Sequence, residues 1–298
     1  MDVMEDGKDR LKGTVLMIIG VLVISPDTLL ISILSADRWT VVFWRSLLTA
    51  LTLSAVMVVR HGRRAAARMA GIGPGGIVVG VLFGTSTIAF VSSVTLTTAA
   101  NSLVIIAAIP LLAALFSLLF LGERIPARTW SAGAVGLLSI VIIFSGSLGG
   151  GALIGDLLAL VTAICLAVNF ILIRLFRQTN MVPAVILGGV ISALVVFPFS
   201  SPLSVLPHDI LPLLFMGMVV LPIPLVLMTI APKLITAPEV GLIMLLETVL
   251  GPLWVWLAIG QIPAPQTFVG GLILLSTLAI HSLFSLREPN HGETIVER

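Results

Sequence analysis

Apolar and polar positions along this chain fall into blocks, with long hydrophobic tracts parted by short polar breaks. The tracts run Leu11–Leu34, Thr40–Val59, Gly73–Val94, Ala99–Leu121 and Thr129–Ser145. A second set follows at Leu153–Leu175, Val182–Ser200, Ile210–Ala231, Ala237–Ile259 and Thr267–Leu286. Each approaches the roughly 20 residues a helix needs to cross the hydrocarbon core. Lipid offers no partner to an unpaired backbone amide, so tracts of this length are expected to be helices. The pattern predicts an all-α integral membrane protein with ten transmembrane helices.

Composition agrees with the pattern. Of 298 residues, 58% are hydrophobic and 10% are charged, whereas a soluble domain carries about 25% charged residues. The basic residues test the count of spans independently. With the N-terminus inside, Lys8, Arg10, Lys12, Arg60, Arg63, Arg64, Arg68, Arg124, Arg128, Arg174, Arg177, Lys233, Arg287 and Arg298 face the cytoplasm. Only Arg38 and Arg45 fall on the opposite side. That segregation is the positive-inside bias, and adding or losing a span would scramble it. Both termini are therefore expected in the cytoplasm, with the chain multi-pass in the inner membrane. The net charge of +2 and pI of 9.2 do not indicate a nucleic-acid partner, because no basic run is interleaved with aromatics. Cys165 stands alone and can form no internal disulfide. Met1–Lys12 carries both charge signs and no small-residue cleavage pattern stands out after the first tract, which reads as a retained span. Trp39 and Trp44 sit where an interfacial aromatic belt is expected.

The two halves echo each other at an offset of about 140 residues. Thr98-Ala99 matches Thr236-Ala237, Ile105 matches Ile243, Gly122 matches Gly260, and Thr129 and Gly133 match Thr267 and Gly271. Gly13 falls on Gly155, and Asp27 on Asn169. The expected units are residues 1–148 and 149–298. Five spans per unit is an odd number, so the second copy enters the membrane in the opposite sense. Inverted repeats place a substrate site near the midplane and let the halves exchange inward and outward states.

Candidate chemistry is sparse. Gly76, Gly80 and Gly84 form a small-residue ridge on the third span, read as a structural helix-packing surface. Pro222 and Pro224 interrupt the eighth span and correspond by the repeat to Gly84-Thr85-Ser86 on the third. Paired interruptions point to a transporter's binding site, so Thr85, Ser86, Pro222 and Pro224 are cavity candidates. Pro110 in the fourth span and Pro252 in the ninth free further carbonyls. Asp27 lies about 24 Å along the first span, past the midplane, and Glu247 lies near the middle of the ninth. Intramembrane carboxylates are costly and are functional candidates by default. Asp27 also has a structural reading, paired with Arg45 or capping the break at Pro26. Asn101 and Asn169 offer uncharged donors and acceptors, either to a ligand or between helices. Trp254 and Trp256 project about 200° apart, so both cannot line one cavity; Trp254 is the candidate.

Arg45, the run Thr97-Thr98-Ala99-Ala100, Pro110 and Leu121-Gly122-Glu123-Arg124 carry a resemblance to a known family. In the second half it continues through Thr236-Ala237-Pro238, Leu246-Glu247 and Gly260-Gln261. The chain resembles the drug/metabolite transporter superfamily, specifically its ten-span EamA-type exporters, with Gln261 standing where the family often has Glu. Within these it looks most like the YddG-type amino-acid exporters, which implies efflux of amino acids.

Other classes fit poorly. There is no HExxH, Walker A, GxSxG or Cys/His metal spacing, so neither an enzyme nor ATP-driven transport is expected, and no cofactor or metal. A phosphorylated solute would need several cations in the cavity, and only Arg45 lies clearly inside a span. The expected function is secondary export of a small neutral or zwitterionic metabolite, amino acids first, by alternating access through a central cavity. The rival is proton-coupled efflux of a lipophilic cation on Glu247. A channel or a scaffold explains the paired breaks less well. The partners are then a small-molecule substrate and the lipid bilayer, and ten spans suffice to enclose a cavity within a monomer.

Overall fold

A computed structural model describes residues 2–121, 127–147, 152–176, 179–231, 234–235 and 237–287. Gly122, Glu123 and Arg124, Thr236 and the basic residues Arg177, Lys233 and Arg298 lie outside the described residues. The described chain is helical throughout, in ten passes. The first pass is α1 (Asp2–Ile24) and α2 (Asp27–Ile33), and the second is α3 (Arg38–His61) with a short α4 (Ala65–Ala70) after it. The third is α5 (Gly73–Leu96), the fourth α6 (Ala99–Ile106) with α7 (Ile109–Leu121), and the fifth α8 (Ala127–Ser147). The sixth and seventh are α9 (Leu153–Leu175) and α10 (Val182–Val196). The eighth is α11 (Pro207–Phe215), a π-helical turn over Met216–Val220, then α12 (Pro222–Ile230); α13 (Ala237–Ile259) and α14 (Pro265–Arg287) complete the set. Eight apolar stretches have full spanning length, and Ile243–Ile259 and Pro265–His281 are shorter apolar helices. An even number of passes puts both termini on one side, here called the terminal side. The far side carries the turns at 34–37, 97–98, 200–206 and 260–264.

Local sequence explains the breaks. Pro26 has no N–H for the Leu22 carbonyl, and the Ser25 hydroxyl donates to that carbonyl instead, at 2.9 Å. Pro110 likewise deprives Ile106 of its partner, and the fourth pass tightens at Ala108, whose N–H donates to Ile105 O at 3.1 Å. Helix starts are capped by side chains. Asp37 accepts from the N–H groups of Trp39 and Thr40 at 2.9 and 3.1 Å, and Thr98 accepts from Asn101 N–H at 3.1 Å. By contrast α5 runs unbroken through Gly84-Thr85-Ser86. The Thr85 and Ser86 hydroxyls bond back to the carbonyls of Val81 and Phe83, so the expected pairing of interruptions on the third and eighth passes is corrected. The first and fourth passes are the ones that break alongside the eighth.

The passes pack as a closed ring in the order second, eighth, first, ninth, tenth, fifth, fourth, sixth, third, seventh and back to the second. Exchanging passes one to five with six to ten reproduces the same ring read backwards, as an inverted repeat requires. The match of Gly13 to Gly155 has its counterpart in space. A Cβ on Gly155 would sit 2.7 Å from the Thr97 nitrogen, and one on Gly13 would sit 2.7 Å from Leu234 Cβ. In each half, the first helix of the repeat presses its glycine onto the link between its two ring neighbours.

The ring is filled unequally. On the far side α6 packs inward against α13, α14 and α9, and α2 packs against α5 and α6. No comparable packing joins α1 or α12 to α9, or α7 to α13, across the terminal half among the described residues. At the far end Thr98, Ala100, Pro252, Val255 and Gln261 line a shallow dent too narrow to admit a water molecule.

The glycine ridge divides. Gly80 and Gly84 meet α10, where a Cβ on Gly84 would lie 2.8 Å from the Gly188 carbonyl oxygen, while Gly76 faces Ile72 on its own preceding turn. Gly84→Leu is expected to lower thermal stability in detergent by about 1–3 kcal/mol, the usual effect of overpacking. Gly76→Ala should change it by less, measured in the same thermal-shift assay.

Candidate functional site

The break in the first pass faces one stripe of the ninth. Glu247, Gly251 and Trp254 stand at positions i, i+4 and i+7 of α13, hence on one face. Trp254 Nε1 donates to the Ser25 hydroxyl at 2.9 Å, so that single hydroxyl both caps the Leu22 carbonyl and anchors the indole. A Cβ on Gly251 would lie 3.1 Å from Thr28 Oγ1, which brings α13 directly against α2. Glu247 is one turn nearer the terminal side and half-buried. No described residue donates a hydrogen bond to it.

Asp27 itself is occupied. Its Oδ2 accepts from Arg45 at 2.6 Å, the two side chains being 5% and 6% exposed, and Arg45 Nε approaches Oδ1 at 3.4 Å. The guanidinium also lies 5.4 Å from the Phe90 ring centre on α5. A desolvated pair of this kind balances its own charge. What remains at the middle of the ring is one carboxylate, Glu247, with the Trp254 indole two turns along the same face and no cation paired with it among the described residues.

The other candidates lie elsewhere. Asn169 is buried against α5, its amide nitrogen toward Val79 O and its oxygen toward Phe83 N, each at 3.3 Å. Thr85 is exposed on a face shared with Val78 and Val81, and Ser86 is buried with its carbonyl 3.5 Å from Thr162 Oγ1. Pro222 and Pro224 are buried at the start of α12, just past the π-helical turn where Leu221 N–H reaches back to Met216 O at 3.1 Å. Pro110 is exposed at the start of α7.

Asn101 belongs to a polar cluster at the far side that sequence reasoning did not find. Asp156, 0% exposed, accepts from Thr97 Oγ1 at 2.7 Å and from Asn101 Nδ2 at 3.0 and 3.3 Å. The Asn101 oxygen accepts from Thr267 Oγ1. The available signal was Asp156 itself, an acid already inside the apolar tract from Leu153. A second far-side carboxylate, Asp209, is buried where it accepts from Ser35 N–H at 3.1 Å, joining the first far-side turn to α11.

The sequence pattern of the EamA-like transporter family matches this chain twice, over residues 11–145 and 153–283. The chain belongs to that family. Its double match coincides with the two halves that the ring order exchanges, so this EamA-like chain has the two-repeat, ten-helix architecture. One solved structure, described only as the crystal structure of a protein, is similar over 94% of this chain and 100% of its own, with 20% identity and a TM-score of 0.63. At that identity the likeness concerns the fold. No curated protein sequence matches. As an EamA-like protein the chain is a multi-pass membrane transporter of small molecules, and its family members are not enzymes.

Proposed function

We propose that this transporter exports small amine-bearing solutes, amino acids first among them, from the cytoplasm across the inner membrane. Its termini are cytoplasmic in this reading, which follows from the fourteen-to-two distribution of Lys and Arg. The observation that carries it is Glu247, a carboxylate without a hydrogen-bond partner among the described residues, beside the break in the first pass. A carboxylate at this depth is an acceptor for a solute ammonium, and Trp254 one face along offers an apolar and cation-attracting surface. The terminal half of the ring, where no comparable packing crosses between the described residues, is the side from which the solute enters. Alternating access then carries it past the far side, with the two halves rocking against each other. No cofactor takes part, and a single chain encloses the path.

A second reading is favoured by one observation: Arg45 is spent on Asp27. A zwitterion's carboxylate then finds no free guanidinium, which suits a lipophilic cation exchanged for a proton on Glu247. Counterflow in proteoliposomes distinguishes the two with labelled phenylalanine and labelled phenylethylamine, which share ring and amine. Saturable counterflow of phenylalanine at equal or greater rate supports amino-acid export. Flux of phenylethylamine alone supports cation efflux, and flux of neither up to millimolar concentration would remove both solutes' classes from consideration.

A further inference from the structure

We propose that Asp156, Asn101 and Thr267 form the far-side gate of this transporter, a latch that must part before solute leaves. The inference rests on the transport reading above and adds the residues that control release. Three features of the geometry carry it. The bonds of Thr97 and Asn101 to Asp156, and of Thr267 to Asn101, join the two repeats, since Thr97 and Asn101 stand in the first and Asp156 and Thr267 in the second, while Asn101 also donates to Thr97 within the first. Rocking one repeat against the other therefore strains the cross-repeat bonds together. The cluster also grips α6, the half-helix that plugs the far half of the ring. Asn101 reaches Asp156 on the sixth pass and Thr267 on the tenth, which is not the fourth pass's neighbour in the ring. Finally, α6 ends at Ala107–Ala108, where the fourth pass breaks before Pro110, so the plug has a hinge of its own.

The chemistry suits a contact that opens and closes. In the closed state Asp156 is out of contact with solvent and its oxygens are met by a hydroxyl and an amide. Parting the helices admits water from the far side, which replaces those donors at little net cost. An apolar contact in the same place would instead lose its burial on opening. Polar satisfaction in both states lets the two conformations lie close in energy, as alternating access needs.

The test uses Asn101→Cys with Thr267→Cys, in a Cys165→Ser background, reconstituted in proteoliposomes. The two side chains meet, so oxidation, or a short bis-methanethiosulfonate cross-linker if the sulfurs fall outside disulfide reach, joins them in a form that reduction reverses. If the latch must part, oxidation cuts counterflow by about tenfold or more and reduction restores it in the same sample. Full flux with the bridge formed would overturn the proposal, since the contact would then be a permanent staple. A second measurement keeps the question decidable if the paired variant transports nothing when reduced. Ser102→Cys, buried behind the latch on α6, is labelled from the far side with a membrane-impermeant maleimide. Asp156→Ala should speed that labelling by about tenfold, the worth of a charged hydrogen bond. Unchanged labelling would overturn the gate. Should the unmodified protein give no counterflow with any solute tried, the transport assignment fails while the labelling arm still decides the gate.

Discussion

Glu247→Gln is expected to reduce saturable counterflow of amine-bearing solutes by roughly 10- to 100-fold, the loss of one charge-assisted hydrogen bond to an ammonium. Glutamine keeps the shape and an acceptor oxygen but not the charge. Because no described residue donates to Glu247, the substitution breaks no bond among the described residues, and it removes a partly buried charge that is costly to desolvate. Thermal stability in detergent should therefore stay level or rise while transport falls. That divergence separates a ligand-binding carboxylate from a structural one, for which both would fall together. For an amino acid the loss should appear chiefly in apparent affinity. For a proton-exchanged cation, stimulation by a pH gradient should disappear as well. Unaltered counterflow of every active solute would exclude Glu247 as the acceptor.

Arg45→Leu is expected to destabilise the protein by about 3–5 kcal/mol, because it leaves Asp27 charged and buried without its partner. Replacing both, Asp27→Leu with Arg45→Leu, should recover most of the loss, since an apolar pair of similar volume can replace a buried ion pair at little cost. Unfolding followed in detergent micelles for the two single variants and the double gives the coupling directly. A double variant no more stable than either single one would mean that the 2.6 Å contact is incidental and that Arg45 matters through Phe90 instead. The pair also restricts substrate chemistry. While it is intact, its guanidinium is unavailable to a solute carboxylate.

Much of this arrangement is legible along the chain. A tract such as Gly73–Val94 has one physical solution in lipid, a helix, and the count of ten follows from repeating that argument. The pairing of Asp27 with Arg45 was one of two structural readings open to the sequence beside a functional one, since few groups within reach could neutralise a carboxylate at that depth. The correspondence of Gly13 with Gly155 was visible as bare identity, and its physical cause is the close approach each makes to the link in its own surroundings. Other features did not show. Gly84-Thr85-Ser86 looks like a break because glycine and hydroxyl residues often accompany one, yet the hydroxyls bond back within α5 and the glycine serves the crossing with α10. Thr85 and Ser86 were marked by correspondence with Pro222 and Pro224, and correspondence carries no information about which way a side chain points.

Asp156 marks the boundary most clearly. In the sequence it is an acid four residues into a tract, where a wet helix end is the ordinary expectation. Its complete burial depends on Thr97 in a far-side turn and on Asn101 of the fourth pass, itself held by Thr267 of the tenth. By itself the sequence determined the number of passes, their alternation across the membrane and the repetition of one half in the other, because each depends on transfer of local segments into hydrocarbon. Only the tertiary structure decided which polar groups are spent on one another, as Asp27 with Arg45 and Asp156 with Asn101, and which is left over, as Glu247. Those outcomes depend on which faces of distant helices meet, and apolar tracts that are all alike to lipid do not encode that locally.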